Sequence, residues 1–256
     1  MELLAKIEKV VYEAGKIVLS AKDIESVTNT KTSAADLVTA YDVKVENFLK
    51  ENLTALVPEA MFFGEEEKEN KDPGDSWVFI VDPIDGTANF VHDMAHSAVS
   101  VALAKGCEVR YAFCYHPYRD EMFTAKRGEG AFCNGSPIHV SETPIEEGIF
   151  AFGTSPYNKS LHPSTLKLLS QLYERSCDMR RMGSAVLDLC YLAIGRVDLF
   201  FEYELSPWDY AAASLIVEEA GGKITTMEGK KLPVIKKCSV FASNSANTKL
   251  LSKLDV

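Results

Sequence analysis

Apolar residues recur every three to four positions near the start of the chain: Leu3, Leu4, Ile7, Val10, Val11, Ala14 and Val18. That spacing predicts a helix over residues 3–19 with one buried face. A second helix is predicted near 41–55, carrying Val45, Phe48, Leu49 and Leu53 and stopped by Pro58. The pattern then breaks into a charged run from Glu65 to Asp75, closed by Pro73-Gly74 turn chemistry. Trp77-Val78-Phe79-Ile80-Val81 is a short continuous apolar run and predicts a buried strand that ends at Asp82. Strands are predicted near 97–104, 108–116 and 121–125, spaced as antiparallel hairpins, with a turn at Asn134-Gly135.

Residues 142–148 are polar, contain Pro144 and Gly148, and suggest a junction between two halves, 1–143 and 144–256, which together can count as one domain. Beyond the junction, strand and helix patterns alternate. A strand near 149–152 precedes helices near 162–174 and 184–194, the latter ended by Gly195. A strand at 197–201, a helix at 207–220 stopped by Gly221-Gly222, a strand at 238–242 and a last short helix complete the chain. No internal repeat is visible. Helices and sheets are mixed throughout, which predicts a layered α+β or α/β fold.

Composition narrows this picture. With 256 residues, 46% hydrophobic and 25% charged, the chain matches an ordinary globular protein. The net charge of −10 argues against a nucleic-acid partner. It does not exclude an anionic substrate, because a bound metal inverts the local charge. The six cysteines show no C-x-x-C spacing, and most lie in apolar runs such as that around Cys190. They are expected to be reduced core residues. No signal peptide or membrane-spanning run is apparent, so a cytoplasmic location is expected.

The strongest chemical signal is Asp82-Pro83-Ile84-Asp85-Gly86-Thr87. Two carboxylates three residues apart on a rigid segment can converge on hard cations such as Mg²⁺. Pro83 biases the backbone so that the Ile84 carbonyl can turn inward. Gly86 admits close approach of a ligand, and a helical turn after Thr87 would aim the Gly86 and Thr87 amides at an anion. Other acids are less telling alone. Gly64-Glu65-Glu66 also reads as a surface acidic loop, and Asp42 as a helix-start acid. Asp209 reads as a first-turn acid that favours the helix dipole, with Trp208 as a neighbouring anchor. His92, His96 and His116 follow no metal-ligand spacing.

Taken together, Asp36-Leu37-Val38-Thr39 with Asp42, Gly64-Glu65-Glu66, Trp77 through Phe90, Gly183-Ser184-Ala185, Trp208-Asp209 and Glu218 through Gly222 resemble the inositol monophosphatase family. This family lies within the lithium-sensitive, metal-dependent phosphatases, and the resemblance runs from roughly residue 10 to 245. It implies a layered α-β-α-β-α sandwich and hydrolysis of inositol or similar polyol phosphates by metal-activated water. It implies two or three Mg²⁺ ions held by Glu65, Asp82, Asp85, Asp209 and the Ile84 carbonyl. Catalytic roles fall to Asp42, Glu65, Asp85 and Thr87. Substrate contacts fall to Lys31, Asp85, Gly86, Thr87, Gly183, Ser184, Ala185, Glu202 and Asp209. It also implies a homodimer. Ser206 stands where many bacterial relatives carry arginine, and Gly153 through Tyr157 lies in a variable region; both bear on substrate preference. Related activities on fructose 1,6-bisphosphate, adenosine 3′,5′-bisphosphate or histidinol phosphate are alternatives. Ala88-Asn89-Phe90 fits the inositol branch better than the nucleotide branch, whereas Arg175, Arg180 and Arg181 keep a sugar bisphosphate open. An alternative of another class is a regulatory protein that keeps the scaffold.

Overall fold

The structure, a computed structural model, describes residues 2–22, 28–30 and 37–256. Helices α1 (Glu2–Leu19) and α2 (Ala40–Leu56) flank a short antiparallel pair, β1 (Thr28–Thr30) and β2 (Leu37–Thr39). α1 buries Ile7, Val11, Ala14 and Val18, the stripe its spacing predicts. α2 begins at a capping box: the Thr39 hydroxyl accepts the Asp42 amide, and the Asp42 carboxylate accepts the Thr39 amide.

A seven-stranded sheet follows in chain order: β3 (Met61–Gly64), β4 (Trp77–Asp85), β5 (Ala98–Lys105), β6 (Glu108–His116), β7 (Glu121–Lys126), β8 (Ala131–Cys133) and β9 (Ser136–Ile138). β3 runs parallel to β4, and the remaining pairs are antiparallel. The short helix α3 (Thr87–Val91) sits between β4 and β5. A second sheet contains β10 (Ile149–Phe152), β11 (Asp178–Arg180), β12 (Leu199–Leu205), β13 (Lys223–Thr225) and β14 (Cys238–Ser243), in the order β11-β10-β12-β14-β13. Helices α4 (His162–Tyr173), α5 (Ala185–Ala193) and α6 (Pro207–Glu219) accompany it.

Three hydrophobic clusters order these elements into layers. Ile7, Val11, Leu49 and Leu53 of α1 and α2 pack on Phe79 and Val81. Val78 and Ile80, which point to the other face of β4, pack with Leu187 of α5 and Leu215 of α6. Phe200 of β12 joins that middle core, whereas Leu199 and Phe201 face Leu168 and Leu172 of α4. The result is a helix–sheet–helix–sheet–helix sandwich, as the resemblance implies. α6 is apolar on nearly every side because both sheets enclose it, burying Tyr210, Ala211, Ala212, Ala213, Leu215, Ile216 and Val217. The middle core draws on residues from both sides of position 143.

Some expectations need correction. β4 does not end at Asp82 but continues through Pro83 to Asp85. The final helix is one 3₁₀ turn, Leu251–Lys253. All six cysteines are free, but Cys107 and Cys177 are exposed rather than core; they sit in a hairpin turn and before an edge strand, where no second layer covers them.

Candidate metal centre

The extension of β4 through Pro83 aims its two aspartates. Asp82 pairs with Ser100 and Asp85 with Ala98, so three residue steps on β4 oppose two on β5. On a regular strand, residues three apart point to opposite faces. One extra residue, a β-bulge, restores them to the same side and explains how Pro83 fits inside a sheet. Asp82 and Asp85 therefore both face the middle layer. Ile84 points the other way, buried with Phe79 and Val81.

Each aspartate is anchored locally. Asp82 Oδ1 accepts the Ile84 amide at 3.0 Å, an Asx turn. Asp85 Oδ2 accepts the Ser184 hydroxyl and, at 3.0 Å, the Val186 amide. Ser184 is also the N-cap of α5 and accepts the Leu187 amide at 3.2 Å. Asp209 Oδ2 accepts the Ser206 amide at 2.7 Å in the capping box of α6. Trp208 packs its ring 5.9 Å from that of Phe63, tying the start of α6 to β3.

These anchors bring together three segments distant in sequence. Among the described residues, Asp82, Asp85 and Asp209 form a group whose carboxylate oxygens lie within 4.8 Å of one another. No Lys or Arg forms an ion pair with them among the described residues. Burial, then the charges of Glu65, Asp85, Asp209 and Asp42, push the Asp82 carboxyl well above its usual range. Burial and the charges of Asp85 and Glu65 do the same to Asp209. Asp85 rises to about 6 through burial, opposed by its bonds to Ser184 and Val186 and by the Arg181 charge. Carboxylates that repel one another while held together by caps and turns suit a hard, multivalent cation.

Glu65 follows β3, its amide bonded to the Val81 carbonyl at 3.2 Å. Its charge is felt at both Asp82 and Asp209, although its carboxylate lies outside the 4.8 Å group. Asp42 is fully buried on α2, with Oδ1 3.3 Å from Thr87 Oγ1. Thr87 Oγ1 also lies 3.1 Å from the Ile84 carbonyl, so its single proton has two acceptors. Gly86 precedes α3 in the left-handed region (φ 85°). A Cβ there would lie 3.1 Å from the Gly183 carbonyl and 3.3 Å from Ser184 Cβ, so Gly86 lets the segment 183–185 close over the loop. Alternation along β12 turns Glu202 to the middle layer beside Phe200, where its Oε1 accepts the Ser155 amide at 2.7 Å. Burial pushes Glu202 to about 7, against the Ser155 amide and the Arg181 charge. Lys31 and Asp36 lie outside the described residues.

The sequence does not single out two neighbours, Asp188 and Glu46, and gives a third, Ser184, only a substrate contact. Ser184, expected as a substrate contact, also donates to Asp85. Asp188, buried on α5, is raised well above its usual range by burial and by Asp85 and Glu202. Glu46, buried on α2, rises to about 7 through burial and the charges of Glu65, Glu66 and Glu67. Glu46 lies four residues after Asp42, a helical spacing that could have flagged it.

Comparison with known proteins shows the family. The inositol monophosphatase family model matches residues 1–255. An inositol-1-monophosphatase of Rhizobium meliloti is 37% identical over 98% of this chain and 95% of its own length. One from Caulobacter vibrioides is 39% identical over 88% and 90%. A crystal structure of the extragenic suppressor protein suhB from Bartonella henselae superposes with a TM-score of 0.91 at 32% identity, covering 99% and 98% of the two chains. The chain belongs to the inositol monophosphatase family. It is accordingly a phosphoric monoester hydrolase, in a metal-dependent family that acts on phosphorylated substrates such as inositol phosphate. No helix among the described residues is long and apolar enough to cross a membrane.

Proposed function

We propose that this protein hydrolyses the phosphate monoester of a small polyol, foremost inositol 1-phosphate, using two or three Mg²⁺ ions. The observation that carries the reading is the convergence of Asp82, Asp85 and Asp209 within 4.8 Å. In this reading Glu65, Asp82, Asp85, Asp209 and the Ile84 carbonyl hold the metal. Bound Mg²⁺ would supply charge neutralisation, a more acidic water and support for the departing alkoxide.

The chain's own groups do the rest. The Thr87 hydroxyl donates its hydrogen bond to the buried Asp42 carboxylate and turns a lone pair toward the attacking water, which it orients. The Gly86 and Thr87 amides hold the phosphate. Glu202 and the segment Gly183-Ser184-Ala185 orient the polyol hydroxyls, and Lys31 completes the anion site. Residues 1–143 would thus contribute most metal ligands, and 144–256 Asp209 and the alcohol-binding side. The same reading includes a cytoplasmic homodimer.

Asp82→Asn removes ligand charge and is expected to reduce Mg²⁺-dependent phosphate release by at least about a thousand-fold while leaving the circular dichroism spectrum intact. Full turnover in that variant with added Mg²⁺ would rule out the metal assignment.

Arg181 supports a second reading. Its side chain is exposed, yet its charge lowers the pKa of Asp85, Asp188 and Glu202. A cation at that mouth suits the second phosphate of a sugar bisphosphate. Phosphate release from inositol 1-phosphate, glycerol 2-phosphate, fructose 1,6-bisphosphate and adenosine 3′,5′-bisphosphate decides between them.

A further inference from the structure

α2 presents three side chains at four-residue spacing toward the centre. Asp42 reaches Thr87, Glu46 reaches the Glu66 amide, and Lys50 pairs with Glu67 at 2.7 Å. The middle side chain, like Asp42 before it, is buried. Glu46 is 4% exposed, and its Oε2 accepts the Glu66 amide at 2.9 Å. A Cβ on Gly64 would collide with that oxygen, so glycine at this position makes room for the Glu46 carboxyl. On the other side, Asn70 clamps Gly64 twice, its Oδ1 accepting the Gly64 amide at 3.0 Å and its Nδ2 donating to the Gly64 carbonyl at 2.7 Å. Glu65 therefore sits between two residues whose backbones are each held by a side chain.

We propose that Glu46 is a positioning residue of the metal centre: its carboxyl, by accepting the Glu66 amide, sets the turn that delivers Glu65 to Asp82, Asp85 and Asp209. The inference rests on the metal-centre reading above. It concerns the hydrogen bond rather than the negative charge, so Gln, which keeps an acceptor oxygen at the same reach, substitutes for Glu46. Asp keeps the charge but falls short by one methylene, and Ala removes the acceptor.

The test measures Mn²⁺ binding by electron paramagnetic resonance, beside Mg²⁺ half-saturation of phosphate release and thermal unfolding, in the full chain. Glu46→Ala and Glu46→Asp are expected to weaken Mn²⁺ binding by about ten-fold and to raise Mg²⁺ half-saturation in parallel, as loss of a supporting contact does elsewhere. Glu46→Gln is expected to stay within about two-fold of wild type. Should Glu46→Ala fail to fold, the Asp and Gln pair decides the matter. Unchanged binding in Glu46→Asp, or binding in Glu46→Gln as weak as in Glu46→Asp, overturns the proposal. A lower melting temperature in Glu46→Ala with unaltered metal affinity overturns it too, by reducing Glu46 to a fold-stabilising role. Wild-type protein that binds no Mn²⁺ overturns the metal-centre reading with it; wild-type binding that is lost in Asp82→Asn but kept in Glu46→Asp overturns only the role of Glu46.

Discussion

The chemistry of the centre is balanced on single donors. Burial drives Asp85 to about 6, and the Ser184 hydroxyl, the Val186 amide and the Arg181 charge hold it there rather than higher. A hydrogen bond to a charged group is worth about 1.5–3 kcal/mol, which corresponds to roughly one to two pH units. Ser184→Ala removes that donor from the ionised Asp85 and is expected to move the acid limb of the kcat/KM profile upward by roughly one unit at sub-saturating Mg²⁺. The same substitution strips the N-cap of α5 and should cost about 1 kcal/mol of stability. The two effects separate by experiment, because loss of a helix cap alone leaves the pH profile in place. An unshifted profile in a destabilised variant would show that Ser184 serves only α5.

The way elements are fastened explains which parts of the molecule could be read from sequence. Residues 141–149, which run from the first sheet to the second, are fastened through buried polar groups. Ser141 and Asn244 donate to Asp198 Oδ1, the Ile149 amide donates to Asp198 Oδ2 at 2.8 Å, and Asn244 also reaches the Thr143 carbonyl at 2.8 Å. Asp198→Ala leaves these donors without an acceptor and is expected to cost about 2–4 kcal/mol in urea unfolding. None of them touches the metal centre, so turnover per folded molecule should remain within about two-fold. The long helices α1, α2, α4, α5 and α6 and the strands β5, β6 and β7 were legible because each runs long enough for a period to show. β8, β11 and β13 span three residues each, too few for alternation to register. β4 was cut short at Asp82 because Pro83 reads as a terminator, and only the register against β5 reveals the bulge that accommodates it. The centre divides in the same way. Asp82 and Asp85 stand out within one string, whereas the Glu46–Glu66 and Ser184–Asp85 bonds join residues 20 and 99 positions apart, so neither pairing can be read from one string.

On the scale of the whole molecule, the five layers collect acids that an apo protein holds together at a cost, and metal binding should therefore be visible as a pH-dependent gain in stability. A carboxyl whose folded-state pKa is raised binds its proton more tightly in the fold than in the unfolded chain. Its contribution is most favourable below the unfolded value near 4 and declines as pH rises toward the folded value, about 6 for Asp85. His116 has the opposite sign. Burial, then its neighbour His96, holds it at about 4, so its contribution is lost as pH falls from about 6.5 toward 4. A plain melting curve against pH mixes these two slopes. The difference between melting temperatures in saturating Mg²⁺ and in EDTA cancels the His116 part and keeps that of the ligand carboxylates, which must shed protons to bind metal. At Mg²⁺ concentrations near a hundred times the dissociation constant, linkage supplies about 2.7 kcal/mol, or several degrees in a chain of this size. That shift is expected in full at pH 7.5, to shrink steadily below pH 6 and to be small at pH 5, where protons occupy the sites. Asp82→Asn should show little shift at any pH. A Mg²⁺-induced shift of constant size from pH 5 to 8 would mean that the cation binds somewhere other than these buried carboxylates.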